Sequence, residues 1–282
     1  MLTSEKVKKA AKEAGADLCG IASMDRFEGA PKQQDPRYIF PEAESCIVLG
    51  FRNPRGYFRG IEEGTYFASY AGMGYGAMNI IYMPIVMRTL CCFIEDNEWE
   101  AVPIPNMYSG SSIDYTVQKY EPRRSRPVRE GLPSPDVMVD IRIAAFAAGL
   151  GEIGYSKMLL TPEFGPCQRM VAILTDAPLE PDPIFSGKLC DRCMRCAAEC
   201  SGKAISTTET ESVTVAGHKI EWGKLDVIKC SVAYRGGVPE YNPFLQPSAE
   251  ADKEKYWKEY AGGKLLAPHI KYGSIEGHAP AL

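Results

Sequence analysis

The sequence predicts an α+β protein in two parts: an α/β domain over residues 1–180 and a small metal-bound module over residues 181–282. Three observations predict it. Helical and strand patterns alternate through the first part, as they do where helices pack on a sheet. The Pro-rich run Ala177-Pro-Leu-Glu-Pro-Asp-Pro183 then reads as a linker. Beyond it lies Cys190-Asp-Arg-Cys193-Met-Arg-Cys196-Ala-Ala-Glu-Cys200, too dense in thiols for an ordinary core segment.

Each element has its own signal. Thr3-Ser4 caps a helix that runs to about Ala14 and stops at Gly15, and Ala16-Asp-Leu-Cys-Gly-Ile-Ala22 follows as a short buried strand. Ser45-Cys-Ile-Val-Leu-Gly50 is a second buried strand, closed by the turn residues Asn53-Pro-Arg-Gly56. Residues 77–97 carry Met78, Ile81, Ile85, Val86, Leu90 and Ile94 at helical spacing and lead into a strand at Ala101-Val-Pro-Ile104. Residues 106–135 are polar and rich in Pro and Arg, a long loop of the kind that is usually either functional or disordered. Ile141–Ala148 is a small apolar helix, Met170–Leu174 a strand, and one more helix is expected near 248–260.

Composition narrows the field. With 282 residues, 45% of them hydrophobic, the chain has ample material for a sizeable core. A net charge of −4 gives no bulk attraction to nucleic acid or an anionic membrane. No continuous apolar run approaches the ~20 residues of a bilayer span. The opening residues go straight into an amphipathic pattern without a signal peptide or twin-arginine leader, so a cytoplasmic location and no membrane partner are expected. In a reducing compartment Cys19, Cys46, Cys91, Cys92 and Cys167 read as buried small hydrophobes.

The C-x2-C-x2-C-x3-C spacing is what bacterial-type ferredoxins use to hold a cubane iron–sulfur cluster. Zinc sites pair two separated knuckles, and disulfides do not favour such local crowding. In two-cluster ferredoxins the fourth cysteine of the run serves the other cluster. Here only Cys230 follows, so five thiols can complete one cubane and not two. One 4Fe–4S cluster on Cys190, Cys193, Cys196 and a fourth thiol is therefore expected. Cys230 is the preferred fourth, because a remote residue can approach the open iron without straining the loop; Cys200 is the alternative.

A second stretch is Ala148-Gly-Leu-Gly-Glu-Ile-Gly154. A dinucleotide fingerprint should follow a strand and open a helix, whereas this one follows a helical pattern, so the Rossmann reading fails. Two readings stay open: a glycine-lined backbone passing close to a flat ligand, or a tight helix-to-strand turn. The basic stretch Arg123-Arg-Ser-Arg-Pro-Val-Arg129 could meet phosphates but reads better as a solvated loop, so a nucleic-acid partner is not expected. The three histidines are scattered and polar-flanked and receive no ligand role.

AGLGEIG, LLTPEFGP, ILTDAPLEPD and CxxCxxCAxxC, in this order and at these separations, resemble the cobalamin-dependent reductive dehalogenases and, more loosely, epoxyqueuosine reductase. The resemblance runs from roughly Tyr66 to Tyr234 and includes the opening helix and strand. It implies a nitroreductase-like α/β domain that binds base-off cobalamin, followed by a ferredoxin-like domain feeding it single electrons. Gly149, Leu150, Gly151, Gly154, Thr161, Phe164 and Gly165 would then border the corrinoid. Tyr70 and Tyr75 fall where the dehalogenases keep a tyrosine near cobalt, and Asn106 resembles their substrate-side asparagine. Asp140 and Arg142 precede the glycine turn, where epoxyqueuosine reductase keeps a catalytic aspartate at a comparable but unequal spacing. Tyr75 and Asp140 are the candidate proton donors. A low-potential electron donor and a small organic or nucleoside substrate are implied, with a homodimer as the default assembly. Two departures bear on this: the second C-x2-C-x3-C-P motif of both families is missing from this sequence, and Cys167 stands where those enzymes more often show Arg. The missing motif keeps a second role in view, that of an electron carrier or reductive activator of a corrinoid protein without a substrate of its own.

Overall fold

The structure, a computed structural model, describes residues 1–66, 68–106, 126–135 and 137–234. At its centre is a four-stranded sheet of Leu18–Ser23 (β1), Ser45–Arg52 (β2), Ala101–Ile104 (β3) and Gln168–Thr175 (β6). Its order is β1-β2-β6-β3, and every neighbouring pair is antiparallel. Glu152–Ile153 (β4) and Leu159–Leu160 (β5) form a small hairpin, and Ile205–Val215 (β7) with His218–Leu225 (β8) a longer one.

β2 dictates the layering, because it is buried at every position from Ser45 to Phe51. Alternate strand residues face opposite ways. Ile47, Leu49 and Phe51 therefore join Val171 and Ile173 of β6 on one face, while Cys46 and Val48 join Ala172 and Leu174 on the other. A strand apolar at every position needs cover on both sides. Helices α1 (Ser4–Ala14) and α3 (Met83–Glu95) cover the first face, and α4 (Ile141–Ala147) the second.

α1 starts and stops where its sequence says it should. The Thr3 hydroxyl accepts the Lys6 N–H at 3.3 Å, and Gly15 ends the helix at φ 113°, a left-handed conformation that costs glycine little. The helix expected over 77–97 instead begins at Tyr70, running as a π-helix to Tyr82 and then as α3. Its glycines hid the start from the apolar pattern, and Pro84 falls where the π-helix passes into α3.

The joined helix Tyr70–Glu95, 26 residues with a mean hydropathy of 1.6, is long and apolar enough to cross a bilayer by length and composition. That corrects the expectation drawn from the uninterrupted apolar runs. A core helix meets the same two criteria, and Met83, Val86, Met87, Leu90 and Ile94 are buried. On the other side Met73, Ile80, Ile81 and Ile85 are each more than half exposed.

Two segments differ from the sequence reading. Ala177–Pro183 is no free linker. The Asp182 N–H donates to the Ile21 carbonyl at 2.8 Å, its carboxylate accepts the Ile21 N–H at 2.9 Å, and the same carboxylate pairs with Lys8. The Ser45 hydroxyl donates to the Ala177 carbonyl and accepts the Leu179 N–H. The run is strapped along the sheet. The β7–β8 hairpin was not anticipated at all; Val215, Ile220 and Trp222 bury in the same cluster as Ala144–Ala148. The helix expected near 248–260 and most of the long Arg-rich loop lie outside the described residues.

Burial pushes the thiols of Cys19 and Cys46 up to about 12. The reactive species is the thiolate, which at pH 8 would be roughly one part in ten thousand of such a thiol. Cys167, expected to be buried, is instead exposed, so brief iodoacetamide treatment of the folded chain at pH 8 should modify it and leave buried Cys46 untouched, as peptide mass mapping would show. Equal modification of the two would mean that the sheet opens on the labelling timescale.

Candidate functional site

The cysteine loop is wound before any metal is considered. Arg192 has φ 57° and Met194 φ 62°, two left-handed residues of a kind that costs about 1–2 kcal/mol each without glycine. Interspersed left-handed residues turn successive N–H groups toward one concavity, the shape found around many iron–sulfur sites. The loop then enters a short helix, α5 (Arg195–Ala198). Cys196 is exposed, and partial desolvation in the loop holds its thiol above its ordinary value, with nearby Cys190 and Cys193 adding to the shift.

Cys200 and Cys230 lie close to one another. Helix α6 (Val227–Tyr234) packs so closely on Gly202 that a Cβ there would lie 2.8 Å from the Ala233 side chain. The Cys230 thiol is raised chiefly by burial and next by Cys200, while Arg142 acts in the opposite direction. The Cys200 sulfur accepts the Ala204 N–H at 3.4 Å. Among the described residues, no three Cys, His, Asp or Glu side chains are drawn together as a metal-ligand set. The thiols, the wound loop and the N–H donors fit an iron–sulfur cluster in chemistry; closing the ligand set requires the sulfurs to converge.

The glycine turn is the seat of this loop. Glu152 Oε2 accepts the Leu189 N–H at 2.5 Å and the Cys190 N–H at 2.9 Å. The Tyr155 N–H donates to the Cys190 sulfur at 3.4 Å. Tyr155 is itself fixed: its hydroxyl donates to the Ser206 carbonyl at 2.9 Å, its carbonyl accepts the Gly223 N–H, and Arg192 lies over its ring. The glycines serve close packing. A Cβ on Gly149 would lie 2.2 Å from the Pro183 carbonyl oxygen, and one on Gly151 would lie 1.9 Å from that of Leu160. Gly154 meets the Leu160 side chain, and Leu150 packs against the apolar cluster on the α4 face.

The other candidates lie elsewhere around the sheet. Thr161 is buried, with its hydroxyl between the Phe164 N–H and Gln168; the Phe164 ring lies under Arg52, and Gly165, at φ 55°, faces open space. Tyr70 and Tyr75 are brought together by Arg169, which sequence reasoning missed. Its guanidinium donates to the Tyr70 hydroxyl and the Gly74 carbonyl, each at 3.0 Å, and stacks 4.6 Å from the centre of the Tyr75 ring. Asp140 Oδ1 caps α4 by accepting the Arg142 and Ile143 N–H groups, and its Oδ2 pairs with Lys157 at 3.4 Å. Asn106 is half-buried just beyond β3.

A half-open cavity of ≈ 270 Å³ is lined by Asp17, Arg52, Tyr57, Met73, Ala77 and Tyr82 among others. Small-molecule pockets run from about 300 to 1,000 Å³, so this one is too small for a macrocycle. The faces of Gly149, Gly151 and Gly154 are likewise filled by the chain itself.

No family model matches the chain. It is similar to the tetrachloroethene reductive dehalogenase of Sulfurospirillum multivorans, 28% identical over 263 residues, covering 79% of this chain and 45% of that protein. A 65-residue stretch is 43% identical to the enzyme of that name from Desulfitobacterium hafniense, covering 22% of this chain and 12% of the relative. Among solved structures, the catabolic reductive dehalogenase NpRdhA in complex with 3-bromo-4-hydroxybenzoic acid overlays with a TM-score of 0.58 at 18% identity, covering 98% of this chain and 39% of that one. Epoxyqueuosine reductase from Streptococcus thermophilus overlays less well, with a TM-score of 0.46 at 15% identity over 71% of this chain and 52% of its own. The chain thus spans less than half the length of the dehalogenases it matches. The resemblance read from the motifs holds: this chain is similar in sequence to the reductive dehalogenase of Sulfurospirillum multivorans, and it overlays on the fold of NpRdhA.

Proposed function

We propose that this chain is an iron–sulfur oxidoreductase of the reductive dehalogenase and epoxyqueuosine reductase kind. Residues 1–180 would be its nitroreductase-like body and residues 181–282 a ferredoxin-like module with one 4Fe–4S cluster. The supporting observation is the wound Cys190–Cys196 loop, with left-handed Arg192 and Met194 and the Tyr155 N–H on the Cys190 sulfur. Such a cluster supplies one-electron steps, with a potential set by burial, charge and hydrogen bonds to sulfur.

The chain's own residues have definite tasks in this reading. Cys190, Cys193, Cys196 and Cys230 hold the cluster, Glu152 and Tyr155 hold Cys190, and Arg169 holds Tyr70 and Tyr75. The resemblance implies a corrinoid as electron acceptor, a low-potential donor, and a small organic or nucleoside substrate. Of the two candidate proton donors, Tyr75 lies against the Arg169 guanidinium, and Asp140 engages both oxygens in the α4 cap and the Lys157 pair.

Iron and acid-labile sulfide analysis of anaerobically prepared protein tests the cluster, with Cys230→Ala and Cys200→Ala alongside. Cys230→Ala should lose its iron and Cys200→Ala should keep it. An intact cluster in Cys230→Ala moves the fourth bond to Cys200, and wild-type protein without iron or sulfide sinks the reading.

A second reading, an electron carrier or a reductive activator of another protein's corrinoid, is favoured by the self-filled glycine turn. Hydroxocobalamin added to the cluster-loaded chain separates the two. Tight binding with turnover of halogenated or epoxide substrates favours the enzyme, and binding without turnover the activator. No binding removes the corrinoid from both.

A further inference from the structure

We infer that Glu152 is a positioning residue that sets both the retention and the reduction potential of the cluster, acting as a charged clamp on the Cys190 end of its loop. The inference rests on the iron–sulfur reading and goes beyond it, since nothing in the thiol spacing calls for a carboxylate 38 residues upstream.

The geometry carries it. One carboxylate oxygen accepts two successive backbone N–H groups, those of Leu189 and Cys190, where the loop begins. Hydrogen bonds to an ionised acceptor are roughly twice as strong as neutral ones. The clamp is anchored in β4, paired to β5 through Glu152 opposite Leu160, so its position is set by the body of the fold and not by the loop. Three residues on, the Tyr155 N–H meets the sulfur of the same cysteine at 3.4 Å. The first thiol is thus fixed through its backbone by one residue of the glycine turn and through its sulfur by another. Partners that orient a metal ligand in this way typically alter metal affinity 10- to 100-fold when removed.

The charge has a second consequence. Reduction adds an electron to the cluster, and a nearby carboxylate opposes that addition. Neutralising it while keeping the hydrogen bonds should make the cluster easier to reduce. A glutamine can still offer an oxygen to both N–H groups; an alanine offers none.

Glu152→Gln and Glu152→Ala, in the full chain with reconstituted cluster, distinguish these effects. Iron loss to a chelator and redox titration with photoreduced deazaflavin are the readouts. We expect Glu152→Gln to keep its iron with a less negative potential, and Glu152→Ala to release iron at least about tenfold faster than wild type. An unchanged potential in Glu152→Gln together with wild-type iron release in Glu152→Ala would overturn the inference and leave the cluster reading standing. Wild-type protein that takes up no iron or sulfide would remove both.

Discussion

Replacing Gly151 with alanine should destabilise the protein by about 3 kcal/mol or more, the upper range of overpacking. The new Cβ would lie 1.9 Å from the Leu160 carbonyl oxygen and 3.1 Å from the Thr161 Cα, contacts with backbone that no rotamer change relieves. The strand pair β4–β5 would have to separate, taking Glu152 with it. Gly165→Ala makes the matched comparison. Its φ of 55° is strained for alanine but no atom lies within 4 Å, so a loss nearer 1 kcal/mol is expected. Denaturant midpoints of the two variants check this. Equal small losses would show that the turn is free to open and that its glycines serve something other than packing.

Truncating Trp222 to alanine should cost about 3–5 kcal/mol, the usual range for a large buried aromatic. The ring is 6% exposed in the cluster beneath α4, its indole N–H donates to Glu211 at 3.3 Å, and the Lys157 ammonium sits 4.8 Å from the ring. Lys157 also holds Asp140, so the loss would loosen the cap of α4 as well. Because the hairpin shares its cluster with the sheet, calorimetry of Trp222→Ala should show a single transition moved down in temperature. Two transitions with only one displaced would mean that residues after 180 fold as a unit of their own.

How much of this was legible depended on where each residue's partner lies. α1 could be read because Thr3 and Gly15 mark its ends locally, and β2 because burial on both faces leaves an unbroken apolar run. The start of the long helix was not legible, since Gly72, Gly74 and Gly76 give no apolar period. The strap was read as a linker because prolines look like one. What holds it is Ile21, some 160 residues away. The β7–β8 hairpin left a local sign that went unread: Ala216 and Gly217, both at positive φ, between alternating Thr, Val and Ile. At the site, spacing alone singled out the thiols as candidates. Glu152, Tyr155 and Arg169 were not, because each acts on residues 35 or more positions away.

The lacing of Ala177–Pro183 onto β1 and the grip on Leu189 leave almost no slack between the sheet and the sulfur atoms. In the proposed iron–sulfur reading, an electron leaving those sulfurs would cross a gap fixed at folding, not one sampled by a swinging arm. Lengthening this stretch by a few residues would then slow that transfer steeply wherever it adds distance, because tunnelling falls off exponentially with separation, even with every thiol in place.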